Sequence, residues 1–421
     1  GYGEEMIDEL KQYEGFREEV RDWLRRNLPQ DWQERMLGAS EDEHVEFQKA
    51  WFKRMRDAGY VAPHWPVEWG GAGMPFAQQI VLFEELARAG APRLVLYFIS
   101  LYHVPATLLE WGTDAQRRRH LPAILSGDEI WCQGFSEPSA GSDLASLRTR
   151  AERRGDRYIV NGQKIWSSNA HRARYCLLLA RTDPDAPKHK GISYFILDLE
   201  SPGVTRRPIK MLTGGAHFNE IFLDEVEIPV ENRIGAEGQG WIVAQTTLSS
   251  ERGLTVLEFA ERMRQAFRLL LRDASRPAPW GGRLIDDDGF RRQLVDVYIG
   301  TETLRVLVGN MLTRMLRSGG TGTEASIIKV YHSELLQKFT DLGVQLGGMS
   351  AQYLQSVLMG GGYETGYWMH DNLYSWACTI AGGSNEIQRN IIAERALGLP
   401  REPRIPSEGQ SAAPAGGGRG G

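Results

Sequence analysis

Along the first 130 or so residues the apolar positions recur at helical spacing. Phe16, Val20, Trp23 and Leu24 share one face of a predicted first helix, which stops at Leu28-Pro29 because proline removes a backbone donor. A second helix carries Phe47, Trp51, Met55 and Ala58 and ends at Gly59, and the loop from Pro63-His64-Trp65-Pro66 to Gly70-Gly71-Ala72-Gly73 follows. A further helix runs through Gln79 to Leu86, and Thr113-Asp114-Ala115-Gln116 has the form of a capping box opening a short one. From about Glu129 to Ile234 the pattern turns extended: Tyr175 to Ala180, Ile192 to Leu199 and Glu220 to Phe222 are apolar, β-prone runs separated by Pro, Gly and Asp. No helix of useful length separates them, so the predicted sheet is antiparallel. Beyond Trp241 helical spacing returns over Leu248 to Leu271, Phe290 to Met315, Glu324 to Gln345 and about Ser384 to Leu397, the last opened by Gly-Gly-Ser. The pattern predicts an α+β chain with an N-terminal all-α domain (1–129), a middle antiparallel β-domain (130–240), a C-terminal four-helix bundle (241–402) and a disordered Pro-, Ser- and Gly-rich tail (403–421).

Composition narrows the class without naming a function. Hydrophobic content of 42% and charged content of 24% are ordinary for a soluble globular protein, and a net charge of −5 argues against a nucleic-acid platform. The three cysteines, Cys132, Cys176 and Cys378, are scattered, with neither a disulfide framework nor metal-ligand spacing, so a reducing cytoplasm and no metal are expected. No apolar run reaches transmembrane length and the N-terminus is too charged for a signal peptide, so no membrane partner is expected either.

The candidate chemistry sits in the β-region. The stretch from Trp131 to Asp143 ends in the turn-favouring residues Pro138, Ser139, Gly141, Ser142 and Asp143, with hydroxyls at Ser136 and Ser142 and a glycine that lets a ligand approach the backbone. After it, Asn161-Gly162 between two short β-type runs predicts a hairpin turn, whose second strand delivers Trp166-Ser167-Ser168. An aromatic face beside hydroxyls and turn amides suits a planar, polar-edged cofactor with a phosphate tail. Taken alone, a Trp at a strand end is as compatible with a core, and a Ser/Gly/Pro cluster with a plain loop. His64 reads as a loop histidine with a satisfied hydrogen bond. Gly235 to Gly240 lacks the Lys-Ser/Thr of a phosphate loop and reads as a turn into the next helix.

Four stretches in order carry a resemblance: Trp65-Pro66-x-x-x-Gly70-Gly71-x-Gly73, Ser136-Glu137-Pro138-x-x-Gly141-Ser142-Asp143, Asn161-Gly162-x-Lys164-x-Trp166, and Gly382-Gly383-Ser384-Asn385-Glu386-Ile387-Gln388-Arg389. From roughly Phe16 to Arg401 the chain resembles the acyl-CoA dehydrogenase family, flavoenzymes that oxidise acyl-CoA thioesters between Cα and Cβ. The resemblance implies FAD, with Gln133, Phe135 and Ser136 lining the flavin ring, Gly141 and Ser142 at the pyrophosphate and pantetheine, and Trp166 and Ser168 covering the ring opposite the substrate. It also implies that Ser384 and Glu386 touch FAD and that Gly348 lies towards its adenine end, although the Arg-x-x-Phe-Gly many relatives use there is absent and Gly282-Arg283-Leu284-Ile285 stands roughly in its place. Members are usually tetramers, often dimers of dimers, with FAD across a subunit contact and an electron-transfer flavoprotein as acceptor.

The catalytic base departs from the commoner pattern. Where many relatives have Tyr-Glu-Gly-Thr before the last helix, this chain has Ala381-Gly382-Gly383-Ser384, and Gly382 cannot take a proton. Other branches place the base on the helix after the β-domain, and Glu251 in Ser249-Ser250-Glu251-Arg252-Gly253 matches that position, with Arg252 beside it and Ser249 and Ser142 on the substrate side. Leu248, Leu254 and Val256 are expected to give Glu251 the apolar surroundings that raise a carboxyl pKa. Room at Gly253 and Gly382 and the resemblance to bacterial members point to a bulky or branched acyl chain, such as a sterol side chain. The alternatives are an FAD-binding partner subunit of a mixed tetramer and an oxygen-using flavoenzyme on the same fold.

Overall fold

The computed structural model describes residues 3–250, 253–278, 281–320, 322–354, 366–401 and 403. The N-terminal region is helical: α1 (Glu4–Lys11), α2 (Glu14–Asn27), α3 (Trp32–Met36), α4 (Glu41–Asp57), α5 (Phe76–Arg88), α6 (Val104–Trp111) and α7 (Asp114–Ser126). The capping box at Thr113 is formed, its hydroxyl accepting from the Gln116 amide at 3.1 Å while the Gln116 side chain accepts from the Thr113 amide at 3.0 Å. The loop that starts at Pro63 owes its glycines to packing: a Cβ on Gly71 would stand 2.2 Å from the Trp65 carbonyl oxygen.

The sheet comprises β1 (Trp131–Gly134), β2 (Arg150–Arg154), β3 (Arg157–Lys164), β4 (Tyr175–Arg181), β5 (Ile192–Asp198), β6 (Val204–Ile209), β7 (Phe218–Pro229) and β8 (Arg233–Ile234). Their order is β6-β7-β3-β2-β4-β5-β8, with β1 also on β4. The sheet is largely antiparallel, but β1 and β2 both pair with β4 in parallel, which corrects the purely antiparallel expectation. The expected hairpin turn is corrected too. Asn161 and Gly162 lie inside β3, and the chain reverses at Gly155-Asp156 instead. The register against β7 shifts between Val160 and Gly162, the Asn161 side chain accepts from the Glu225 amide at 2.8 Å, and a Cβ on Gly162 would be 2.4 Å from Thr149 Oγ1. The Asn-Gly pair therefore makes an irregularity of the β-bulge kind against β7, with Gly162 close to Thr149 at the head of the neighbouring β2.

The C-terminal region holds α8 (Gly240–Ser249), α9 (Leu254–Ala274), α10 (Asp288–Ser318), α11 (Glu324–Gly347), α12 (Trp368–Cys378) and α13 (Asn385–Ile391). The helix expected from Leu248 to Leu271 is two helices, α8 ending at Ser249 and α9 beginning at Leu254, with Gly253 in a non-helical conformation (φ −123°, ψ −112°). The last expected helix is α-helical only over α13 and continues as a π-helical turn, Ile392–Ala396. Between α11 and α13 stands α12, which the sequence pattern does not show because it buries polar residues, His370, Asp371 and Ser375. The Gly-rich stretch does lead into a helix: Gly240 opens α8 so tightly against β5 that a Cβ would be 2.6 Å from Ser193 Cα. The expected tail beyond 403 lies outside the described residues.

Two hydrophobic cores share α5. Its Leu82 and Leu86 belong with the N-terminal helices and the sheet, and its Ile80, Val81 and Phe83 belong with α1, α9, α10 and α11. Its buried Glu84 and Glu85 take ion pairs from Arg17 at 2.9 and 2.7 Å. Arg88 reaches Glu261 on α9 at 3.3 Å, tying the N-terminal helices to the C-terminal ones. Among the described residues no helix is long and apolar enough to cross a membrane.

Candidate active site

Where these elements meet they leave a cavity of about 400 Å³. Phe83 of α5 and the Arg93–Tyr102 segment form one side, and Gln133 of β1 with Ser168, Asn169 and His217 form the sheet side. α9 contributes Thr255, Glu258, Phe259 and Arg262, whose i, i+3, i+4, i+7 spacing puts them on one helix face, and α12 adds Tyr374. The cavity size is that of a ligand site rather than a packing defect.

A buried ion pair fixes the sheet side. The Lys164 ammonium donates to Glu137 Oε2 at 2.8 Å and to the Phe135 carbonyl at 3.0 Å, and Glu137 also accepts from the Arg148 and Thr149 amides at 2.6 and 3.0 Å. Burial pushes the Glu137 carboxyl up, but the Lys164 charge and these amides outweigh it and leave it below its usual range. The Ser-Glu-Pro stretch and the Asn-Gly-x-Lys stretch are thereby one unit. Just beyond Lys164, the Ile165 amide donates to the Ser136 carbonyl at 2.9 Å, and Trp166 follows in the left-handed region (φ 63°). Its indole is 55% exposed and meets the Phe218 ring edge-on at 6.0 Å between centroids. Asn219 bonds the Ser167 carbonyl at 3.1 Å, so the Trp166–Asn169 crossing is held against the start of β7.

The expected cofactor residues divide into two groups. Gln133 and Ser168 line the cavity, with Ser136 and Trp166 beside them in the chain; the Phe135 side chain instead turns into the core, edge-on to Tyr194 at 5.7 Å. Gly141 and Ser142 lie on an exposed turn, where a Cβ on Gly141 would meet nothing within 4 Å. Gly348, Ser384 and Glu386 stand on the C-terminal helices and do not line this cavity; Ser384 caps α13 by accepting from the Ile387 amide at 3.4 Å. An exposed indole held by a left-handed backbone, an open glycine turn and the buried His217 Nε2, which has no hydrogen-bond partner among the described residues, fit a flat cofactor with a polar edge and a phosphate tail.

The family models describe this arrangement domain by domain: the acyl-CoA dehydrogenase N-terminal domain matches residues 11–128, the middle domain 132–226 and the C-terminal domain 238–397. The chain belongs to the acyl-CoA dehydrogenase family. An acyl-CoA dehydrogenase of Mycolicibacterium smegmatis, IpdE1, is 39% identical over 401 residues, covering 92% of this chain and 98% of that one. FadE34 of Mycobacterium tuberculosis is 40% identical over 354 residues, 82% of this chain but 46% of that longer one. Among solved structures, the Tcur3481-Tcur3483 steroid ACAD matches with a TM-score of 0.79 at 30% identity, covering 93% of this chain and 98% of that one. The ChsE4-ChsE5 complex from Mycobacterium tuberculosis matches with a TM-score of 0.76 at 31% identity, covering 96% and 99%.

In this acyl-CoA dehydrogenase the expected base, Glu251, and its neighbour Arg252 lie outside the described residues. Their flanks are described. Ser249 ends α8, exposed, with its hydroxyl donating to the Gln245 carbonyl at 2.7 Å, and it does not line the cavity. Leu254 and Val256 pack with the C-terminal core and Leu248 with the sheet core, and none of the three lines this cavity. The residues of α9 that do face the cavity are ones the sequence reading passed over. Glu258 and Arg262 are an i, i+4 pair at 2.6 Å, with the Arg262 guanidinium also donating to the Ala91 carbonyl at 2.8 Å. Burial raises the Glu258 carboxyl, but the Arg262 and Arg93 charges outweigh it and hold it low. Arg93 lies over the Phe259 ring at 5.2 Å. On other walls, burial pulls His217 down to about 4, so its ring is neutral, and pushes the Tyr102 phenol well above its usual range. His64 is the hydrogen-bonded loop histidine expected, its Nε2 at 3.1 Å from the Leu101 carbonyl. Among the described residues no cluster of acidic, His and Cys side chains could hold a metal.

Proposed function

We propose that this enzyme is a FAD-dependent dehydrogenase that converts an acyl-CoA thioester to its trans-2-enoyl-CoA, with Glu251 removing the Cα proton. The observation that carries the reading is the convergence of all three family domains on one cavity, with Gln133 and Ser168 on the sheet wall and the first turns of α9 opposite. Gln133, Ser136, Gly141, Ser142, Trp166 and Ser168 would hold the cofactor from this chain; Gly348, Ser384 and Glu386 would meet it across a subunit contact. Bound FAD supplies the acceptor for the hydride leaving Cβ. The protein's share is to hold Cα–Cβ between that acceptor and a carboxylate, to exclude water, and to take the Cα proton on Glu251. α9 begins at Leu254, so Glu251 stands four residues ahead in sequence of Thr255, the first of its cavity-facing residues. The neutral His217 ring keeps a donor on the sheet wall without adding charge beside the reacting carbons.

A bulky, ring-bearing acyl group is the substrate class the reading favours, because a similar solved protein is described as a steroid ACAD. The physiological acceptor is an electron-transfer flavoprotein, and the compartment is the cytoplasm. A mixed tetramer is the second reading, favoured because similar structures are named as pairs of chains. The test is turnover of an acyl-CoA panel with a dye acceptor, following enoyl-CoA by mass. Enoyl product that requires the acceptor supports the proposal. Hydrogen peroxide or hydroxylated product without an acceptor would replace it with an oxygen-using flavoenzyme, and a colourless chain that takes up FAD only with a second subunit would establish the mixed assembly.

A further inference from the structure

Most of the cavity wall is hydrocarbon and aromatic, from Phe83, Leu86, Phe98 and Ile99, yet three ionised side chains, Arg93, Glu258 and Arg262, also line it. They form one charged patch. Glu258 binds Arg262 through Nε at 2.9 Å and Nη2 at 2.6 Å, and Arg93 is held above Phe259, one residue along the same helix. The patch begins one turn into α9 at Glu258, and Arg262 lies seven residues, or ~10 Å, further along than Thr255. A purely hydrocarbon chain laid against it would strip water from these charges and return nothing, whereas an acceptor oxygen would replace that water with a charge-assisted hydrogen bond.

We propose that this cavity selects acyl groups carrying an acceptor oxygen, a ketone or a carboxylate, several bonds from the thioester, and that Arg262 and Arg93 receive that oxygen while Glu258 orients Arg262. This rests on the acyl-CoA dehydrogenase reading and names the substrate class within it. Here Arg262 and Arg93 are specificity-determining residues that touch the distal end of the substrate, and they take no part in the proton and hydride steps.

The test uses flavin-loaded enzyme and matched acyl-CoA esters: a bicyclic acyl group with and without a ring ketone, and a straight chain with and without a terminal carboxylate. Kd is read from the flavin spectrum under anaerobic conditions, and kcat and KM from dye-linked turnover. The expected result is kcat/KM at least about tenfold higher for an oxygen-bearing member than for its hydrocarbon twin, carried by Kd and KM rather than kcat. The ketone and carboxylate arms show which oxygen the site takes. In Arg262→Met and in Arg93→Met the ratio should fall below about threefold, a change that general loosening of the fold would not produce. Hydrocarbon members bound or turned over as well as their oxygenated twins would overturn the inference while leaving the dehydrogenase reading intact, as would a preference that survives both variants. Flavin unreduced by every ester, with no turnover, would overturn both.

Discussion

Lys164 has no solvent exposure at all, and its charge is tolerable only because Glu137 and the Phe135 carbonyl surround it. Removing one partner leaves the other charge buried. Glu137→Gln or Lys164→Met should therefore cost about 3–5 kcal/mol in urea unfolding and loosen the Trp166 crossing, whereas the double variant should recover part of the loss. Additive losses would show that the two residues do not act as a pair. The histidines make a separate prediction. Burial depresses His64 and His217 from the ordinary 6.5 to about 4, and His332, with Arg93 and Lys329 nearby, to about 3. Such groups take up protons on unfolding, so their contribution is complete above pH 6.5 and is lost as pH falls towards 4. The thermal midpoint should fall through that window, before the carboxylates dominate; a midpoint constant from pH 7 to 5 would contradict it.

At the scale of elements, local chemistry was legible where it acts within a few residues and misleading where a distant strand intervenes. The Thr113–Gln116 box opens α7 as its spacing predicts, and Thr113→Ala should cost about 1 kcal/mol by thermal unfolding, with no measurable change indicating that packing alone holds the helix start. Asn161-Gly162 has the same local clarity as a turn signal, yet it forms a bulge inside β3, because β7 pairs along it and Thr149, next to β2, approaches where only a glycine fits. The break between α8 and α9 was hidden by apolar residues that stay in helical phase on both sides, each set packing into a different core. Helix α12 was hidden for the opposite reason: its inward face is polar, with Asp371 and His370 fully buried.

For the whole molecule, the order of helices, sheet and helices could be read from periodicity, and the motifs in order identified the family that the domain matches confirm. The cavity could not be read that way. Arg93, His217, Glu258 and Tyr374 come from four separate parts of the chain, and only tertiary packing brings them around one cavity. Sequence motifs pointed to the sheet wall, where spacing is local, and were silent on the wall made by the Arg93–Tyr102 segment and α9, which is assembled by tertiary contacts. The claim that binds these scales together is the proposal that Glu251, three residues before α9 in sequence, is the base for dehydrogenation in that cavity. Its most direct measurement is anaerobic flavin absorbance after mixing with a reactive acyl-CoA, for wild type beside Glu251→Gln. The account predicts prompt bleaching in the wild type and bleaching slowed by about 10²–10⁴ in the variant, with the acyl-CoA still bound. Equal bleaching in both would contradict it and assign the proton to another group.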